Sequence, residues 1–172
     1  MSLDLSKVKD FLAAHSTLTL ATVNAHGLPE AAPLFYATDD DTLIWVSGPK
    51  SRHSRNTAAA GKAAVTVHND VWSWSEIAGL QLEGEVNLIP LGPAREHAWE
   101  VFKTKFPFVV EFEAEVMRSE FYRFVPTWIR LIDNSVRFGY KEEIDLTHPL
   151  PPPSPDVKHQ EREGGARSAG GG

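Results

Sequence analysis

Between Thr17 and Ser47 the chain reverses direction at intervals too short for anything but an antiparallel sheet. Residues 17–23, TLTLATV, alternate in β-favouring side chains, and the first strand is read over Leu18–Val23. Asn24-Ala25-His26-Gly27 is a turn, Leu28–Thr38 continues as a second strand, and Asp39-Asp40-Asp41 turns the chain into a third strand, Thr42–Ser47. Parallel strands need a crossover of about a dozen residues or more, and these connections are far shorter. A βαβ arrangement is therefore excluded, and an antiparallel meander remains.

The later segments extend that meander. Leu5, Val8, Phe11 and Leu12 recur at helical spacing ahead of it, with Ser2 or Asp4 as N-cap. After Ser47, Gly48-Pro49 breaks the strand. A short Ala-rich helix and a strand over Ala64–His68 follow, and then the polar and aromatic connection DVWSWSE. GLQLEGEVNL, Gly79–Leu88, alternates as a strand, with Gly84 marking a bulge or a close backbone approach. Pro90-Leu91-Gly92-Pro93 ends it. Ala94–Lys105 carries a helical apolar stripe, and Phe108–Met117 fits either a helix or an irregular segment. Glu120–Val125, Ile129–Asp133 and Val136–Phe138 close the domain, the last two joined through Asn134-Ser135. The predicted fold is mostly β with flanking helices: a six- or seven-stranded antiparallel split β-barrel. It occupies residues 1–148. Residues 149–172 are Pro-rich, then charged, then Gly-rich, with little to bury, and are expected to be a disordered tail.

Charge narrows the partners. The formal net charge is −6, yet the stretch between Asp41 and Asp70 holds four Lys/Arg, two His and no carboxylate. A general nucleic-acid binder would show a broad basic face, so the local cluster points to a small anion instead. Within it, Lys50-Ser51-Arg52-His53-Ser54-Arg55-Asn56 follows a strand end and opens a helix. Free backbone N–H groups, the positive helix end and guanidinium donors suit a phosphate there, although a solvated basic loop has the same composition. There is no cysteine, and hence no thiolate nucleophile or Cys-based metal site. His68, His97 and His148 are too scattered for a metal-ligand spacing. Glu83 and Glu85 share a strand face and read as solvated or ion-paired. No secretory signal or membrane-length apolar run is visible, and a cytoplasmic location without membrane contact is expected.

With these segments placed, the sequence resembles the FMN-binding split-barrel superfamily related to pyridoxamine 5'-phosphate oxidase. The resemblance rests on LTLATVNAHGLPEAAPLFYATDDDTLIWVS, on SRHSRN with the strand KAAVTVHND, and on GLQLEGEV. The closing PTWIRLIDNSVRFGYKEE is similar to a subgroup of small flavin-binding members. It implies a homodimer with FMN in a groove between the chains. Ser47 would donate to the flavin phosphate, Ser51, Arg52 and His53 would surround it beside Lys50, and Asn56 would brace the loop. Many relatives carry Lys where His53 stands, which implies less positive charge here. Backbone groups of Pro33, Leu34, Phe35 and Tyr36 would meet the flavin ring edge. Trp74, and Trp128 and Arg130 from the second chain, would cover the ring, with Arg130 a candidate to stabilise the reduced form.

What the resemblance implies is an FMN-dependent oxidoreductase with a small-molecule electron donor or acceptor. No side chain identifies itself as a catalytic acid or base. The Arg- and His-rich C-terminal substrate motif of the true oxidases is not matched, so pyridoxamine 5'-phosphate oxidation is not expected. The same barrel in relatives also takes a deazaflavin, or haem, for which His26, His53 or His148 would be the axial candidates. A non-enzymatic flavin-binding module is the remaining alternative.

Overall fold

The computed structural model describes residues 3–147. The expectations for Ser2, His148 and the segment 149–172 lie outside the described residues. Helix α1 (Leu5–Ala14) is followed by strands β1 (Thr17–Val23), β2 (Pro29–Phe35), β3 (Ala37–Asp39) and β4 (Thr42–Ser47). Helix α2 (Arg52–Ala60), β5 (Lys62–His68), a 3₁₀ turn (Trp74–Glu76) and β6 (Ala78–Leu88) come next. Helix α3 (Pro93–Lys105), a second 3₁₀ segment (Pro107–Phe112), α4 (Glu113–Met117), β7 (Glu120–Asp133) and β8 (Lys141–Asp145) complete the order. The strands form one curled antiparallel sheet in the order β2-β1-β5-β6-β7-β4-β3. This is the seven-strand path of a split barrel, and β8 is an additional strand. β6 covers one edge of β7 along its length, so β4 and β8 share the other edge end to end.

Alternation along the strands divides the interior into two cores. Leu18 and Leu20, Val65 and Val67, Leu80 and Leu82, and Tyr122 and Phe124 point inside the barrel with Leu43 and Trp45. On the opposite face of β4 and β7, Ile44 and Phe121 point outward and are covered by Trp99, Phe102 and Phe106. Helix α3 thus covers only the β3-β4-β7 end of the outer surface. Over β2, β1, β5 and β6 that surface carries Pro33, Thr19, Thr66 and Gln81 in register, and beside them Ala31, Ala21, Ala64 and Glu83. No described element covers this row.

Three expectations are corrected. The second strand does not run unbroken to Thr38. It divides at Tyr36, whose fully buried ring turns inward and whose hydroxyl donates to the Leu12 carbonyl at 2.7 Å, satisfying a terminal acceptor of α1. Glu120–Val125 and Ile129–Asp133 are one strand, since the chain crosses Pro126 beside a bulge opposite Glu83/Gly84, a place where a sheet tolerates proline. Val136–Phe138 is a turn, and the last strand is Lys141–Asp145, where Glu142 and Ile144 face inward. Glu142 is buried because it accepts from the Tyr140 hydroxyl at 2.6 Å and pairs with Lys7 at 3.4 Å. The segment Phe108–Met117 resolves into the second 3₁₀ segment and α4. Asp4 is the N-cap of α1, accepting from the Ser6 amide at 2.9 Å.

Lys105, at the end of α3, also reaches the Leu12 carbonyl, at 3.2 Å, with its ammonium 3.9 Å from the centre of the Tyr36 ring. Both contacts favour the charged form, but burial prevails and pulls the amine down to about 8. An unfolded chain holds that proton up to about 10.5, so the unfolded state binds more protons between the two values. Stability from this group should therefore rise as pH climbs from about 8 towards 10.5, and Lys105→Met should remove that slope. Urea midpoints of both proteins across this range test it, and parallel curves would show an unshifted amine.

Candidate functional site

The end of β4 meets the start of α2 at one mouth of the barrel. Gly48 and Pro49 turn the chain, and Ser51 caps α2, accepting from the Ser54 amide at 3.3 Å. The turn places three side chains in contact. Ser47 Oγ lies 2.6 Å from His53 Nε2 and 3.2 Å from Ser51 Oγ, and Ser51 Oγ donates to the buried Ser54 Oγ at 2.8 Å. Burial holds the His53 imidazole below the ordinary histidine range, so it is a neutral donor–acceptor at neutral pH.

Beside this cluster stands Glu30, on β2. Its carboxylate accepts from Asn24 Nδ2 at 2.9 Å and from Asn56 Nδ2 at 2.9 Å, and it pairs with the Arg52 guanidinium. The Asn24 hydrogen bond, then those of Asn56 and Arg52, hold the carboxyl below its usual range against the opposing cost of desolvation. Asn56 also donates to Thr22 Oγ1 at 3.0 Å, tying α2 to β1. Thr22, Glu30, Ala31, Ala32, Arg52 and His53 line a cavity of about 230 Å³. A wider cleft, about 580 Å³, lies across Glu30 and Arg52 and reaches Arg55, His26 and Ala59. A further cavity of about 330 Å³ sits under α1, lined by Val8, Leu82 and Ile129, and shares no residue with these two.

Ser47, Ser51, Arg52, His53 and Asn56 are thus brought together. Lys50 is exposed in the turn and has no ion-pair partner among the described residues. β2 pairs with β1 on one edge and, among the described residues, carries no strand on the other, which leaves backbone of Pro33, Leu34 and Phe35 along that edge. Tyr36 differs: its N–H is bonded to the Ser16 carbonyl at 3.1 Å. Trp74 is exposed and packs edge-on against Phe138, 5.4 Å between ring centres. Trp128 and Arg130 lie on the outer face of β7, with the guanidinium 4.8 Å over the indole and bonded to Glu143 and Gln81. Along the sheet Trp128 lies four strand spacings from Ala31 on β2, roughly 19 Å, and on the other side it is eight residues along β7 from Glu120, the partner of Ser47, roughly 26 Å. One chain therefore does not bring these two residues to the cation cluster.

Sequence reasoning missed Glu30, Thr22 and Asn24. Glu30 had a signal: it is the only carboxylate between Asp10 and Asp39. Its partners became visible only once the β1–β2 hairpin was folded against α2.

The sequence profile described as pyridoxamine 5'-phosphate oxidase matches residues 5–133, most of the chain and all of this site. The chain belongs to the pyridoxamine 5'-phosphate oxidase family. No curated protein matches it. Solved structures share this family member's fold at low identity. A conserved hypothetical protein from Mycobacterium tuberculosis is 18% identical, with 78% of this chain and 87% of that one covered and a TM-score of 0.67. A haem-binding protein from Mycobacterium smegmatis is 15% identical over 86% of this chain and 60% of that longer one, with a TM-score of 0.70. An FAD-binding protein from Mesorhizobium loti is 20% identical over 75% and 94% of the two chains, with a TM-score of 0.59. Among the described residues, no helix is long and apolar enough to cross a membrane, and no group of His or carboxylate side chains could hold a metal ion.

The donor set fits a phosphoester headgroup. Two hydroxyls and an imidazole converge at the start of a nine-residue helix, and the imidazole borders the cavity that Ala31 and Ala32 help to line. Haem would need an axial ligand. His53, the one candidate inside this cluster, has its Nε2 2.6 Å from Ser47 Oγ, a hydrogen bond that ligation of iron through that nitrogen would break.

Proposed function

We propose that this family member binds FMN and acts as a flavin-dependent oxidoreductase, working as a homodimer. The observation that carries the reading is the convergence of Ser47, Ser51 and His53 at the start of α2, beside the β2 edge opposite β1. In it, those three side chains hold the flavin phosphate with Arg52 alongside. The backbone of Pro33–Phe35 borders the ring. A bound flavin supplies hydride or electron transfer, while the protein supplies binding, orientation and electrostatics.

The uncovered outer face of β2, β1, β5 and β6 supports the homodimer. Its Ala and Thr side chains let a second chain approach closely, and that chain would bring Trp128 and Arg130 to the groove. Arg130 would then stand near the ring as a cation that favours the reduced state. Glu30 and His53 are both engaged in hydrogen bonds within the cradle, and the reading assigns it binding alone.

The test is the ultraviolet–visible spectrum of the purified protein, recorded before and after addition of FMN and dithionite. The expected result is a two-band flavin spectrum that bleaches on reduction. A single intense Soret band would replace this reading with haem binding. A colourless protein that ignores added FMN would overturn it.

A further inference from the structure

Two of the groups best suited to a phosphate, the Arg52 guanidinium and the Asn56 amide, are turned towards Glu30. The Glu30 side chain is only 15% exposed, and three neighbours hold it: Asn24, Asn56 and Arg52. It forms part of the wall of both the small cavity and the wider cleft. A carboxylate held this way occupies the donors that an anionic ligand would otherwise recruit.

We infer that Glu30 is an internal counter-anion that sets the headgroup specificity of this site, weakening its preference for a phosphomonoester over an uncharged flavin headgroup. The inference rests on the flavin reading above. Its basis is the local charge. Arg52 is neutralised by Glu30 and the His53 ring carries no charge at neutral pH, so the nearest ionisable groups sum to zero. Lys50 and Arg55 are exposed, as is the Arg52 side chain at 73%, and what sets Arg52 apart is its contact with the Glu30 carboxylate. A phosphate dianion seated on Ser47, Ser51 and His53 would lie beside the Glu30 carboxylate. It would have to share or capture the guanidinium, whereas a ribityl chain ending in a hydroxyl meets no such repulsion.

Glu30 also has a plain structural use, since it links the β1–β2 turn to α2 through Asn24 and Asn56. Glu30→Gln, in a side chain of the same shape, removes the charge that holds Arg52 and keeps one oxygen acceptor, so one of the Asn24 and Asn56 links is lost, and riboflavin binding reports that structural cost separately. FMN and riboflavin are titrated into the wild type, Glu30→Gln, Arg52→Ala and the double variant, and binding is read from flavin fluorescence.

Glu30→Gln should tighten FMN by about tenfold, the value of one charge-assisted hydrogen bond, and leave riboflavin within about twofold. Arg52→Ala should cost the wild type less than about threefold for FMN but erase the whole gain in the Glu30→Gln background. Unchanged or weaker FMN binding by Glu30→Gln, with riboflavin binding intact, would overturn the assignment and leave the flavin reading standing. A gain that survives removal of Arg52 would also overturn it. If neither flavin binds any of the four proteins, the flavin reading falls and this inference falls with it.

Discussion

Gly84→Ala should be among the most destabilising single-methyl changes in this protein, lowering stability by about 3 kcal/mol. A Cβ on Gly84 would stand 2.3 Å from the Val125 carbonyl oxygen and 2.7 Å from Cζ of Phe124. Neither neighbour can yield cheaply. The first is backbone in the bulge of β7, and the second is a fully buried ring packed on Trp45. For a chain of this size the loss corresponds to a melting temperature lower by roughly 10 °C. Gly79→Ala is the matched comparison on the same strand. Its Cβ would stand 3.0 Å from His68 Cβ and 3.1 Å from the Val67 carbonyl oxygen, both longer than the contacts at Gly84, so its cost should be smaller. Denaturation of the two variants beside the wild type decides the matter. Equal, small losses would mean the bulge is not rigidly held. The bulge also matters to the site. Across it the partner of Glu83 is Trp128 and that of Gly84 is Pro126, which leaves Thr127 as the extra residue. A slip of one residue would turn Trp128 and Arg130 from the outer face into the barrel, because side chains alternate along a strand.

This part of the molecule also shows where sequence reading succeeds and where it stops. The glycine in GLQLEGEV was legible as a bulge or a close backbone approach because the alternation around it was otherwise regular, with Leu80, Leu82 and Val86 all buried. It lies opposite the bulge, in close approach to β7. The hairpin from Thr17 to Phe35 was legible for the same reason. Pro126, in contrast, read as a break between two strands. A proline cannot be told from a strand end without the partner strand, and here it stands beside the bulge in β7. Lys141–Asp145 was hidden by its charge. Glu142 is held inside by Tyr140 and Lys7, and that network is a tertiary fact with no local periodicity. At the site, Ser47, Ser51 and His53 could be anticipated because they lie within seven consecutive residues around a strand–helix junction. Glu30 and Thr22 come from a hairpin that meets α2 only after folding. Trp128 and Arg130 stay apart from the cluster within one chain, so their assignment depends on a second chain, about which local sequence is silent.

Replacing Ser47 and His53 together by alanine should weaken FMN binding by about 100-fold, or ~2.7 kcal/mol, with little change for riboflavin. Both side chains would hydrogen-bond the phosphate, and neither would reach the ring. The single variants should be strongly non-additive. Ser47 Oγ and His53 Nε2 already share a hydrogen bond of 2.6 Å, so removing either one frees the other to rotate away from the cradle. Each single change should therefore cost more than half of what the double change costs. Truncation should leave the fold intact. Ser47 ends β4, His53 is only partly buried, and the Ser51 cap and the buried Ser54 and Thr57 hold α2 without them. Parallel titrations of FMN and riboflavin, with circular dichroism as a check on the fold, measure both quantities. An equal loss for the two flavins would place these residues against the ring or in the scaffold. Additive single effects would mean that Ser47 and His53 meet the ligand independently, and that their mutual contact does not shape the cradle.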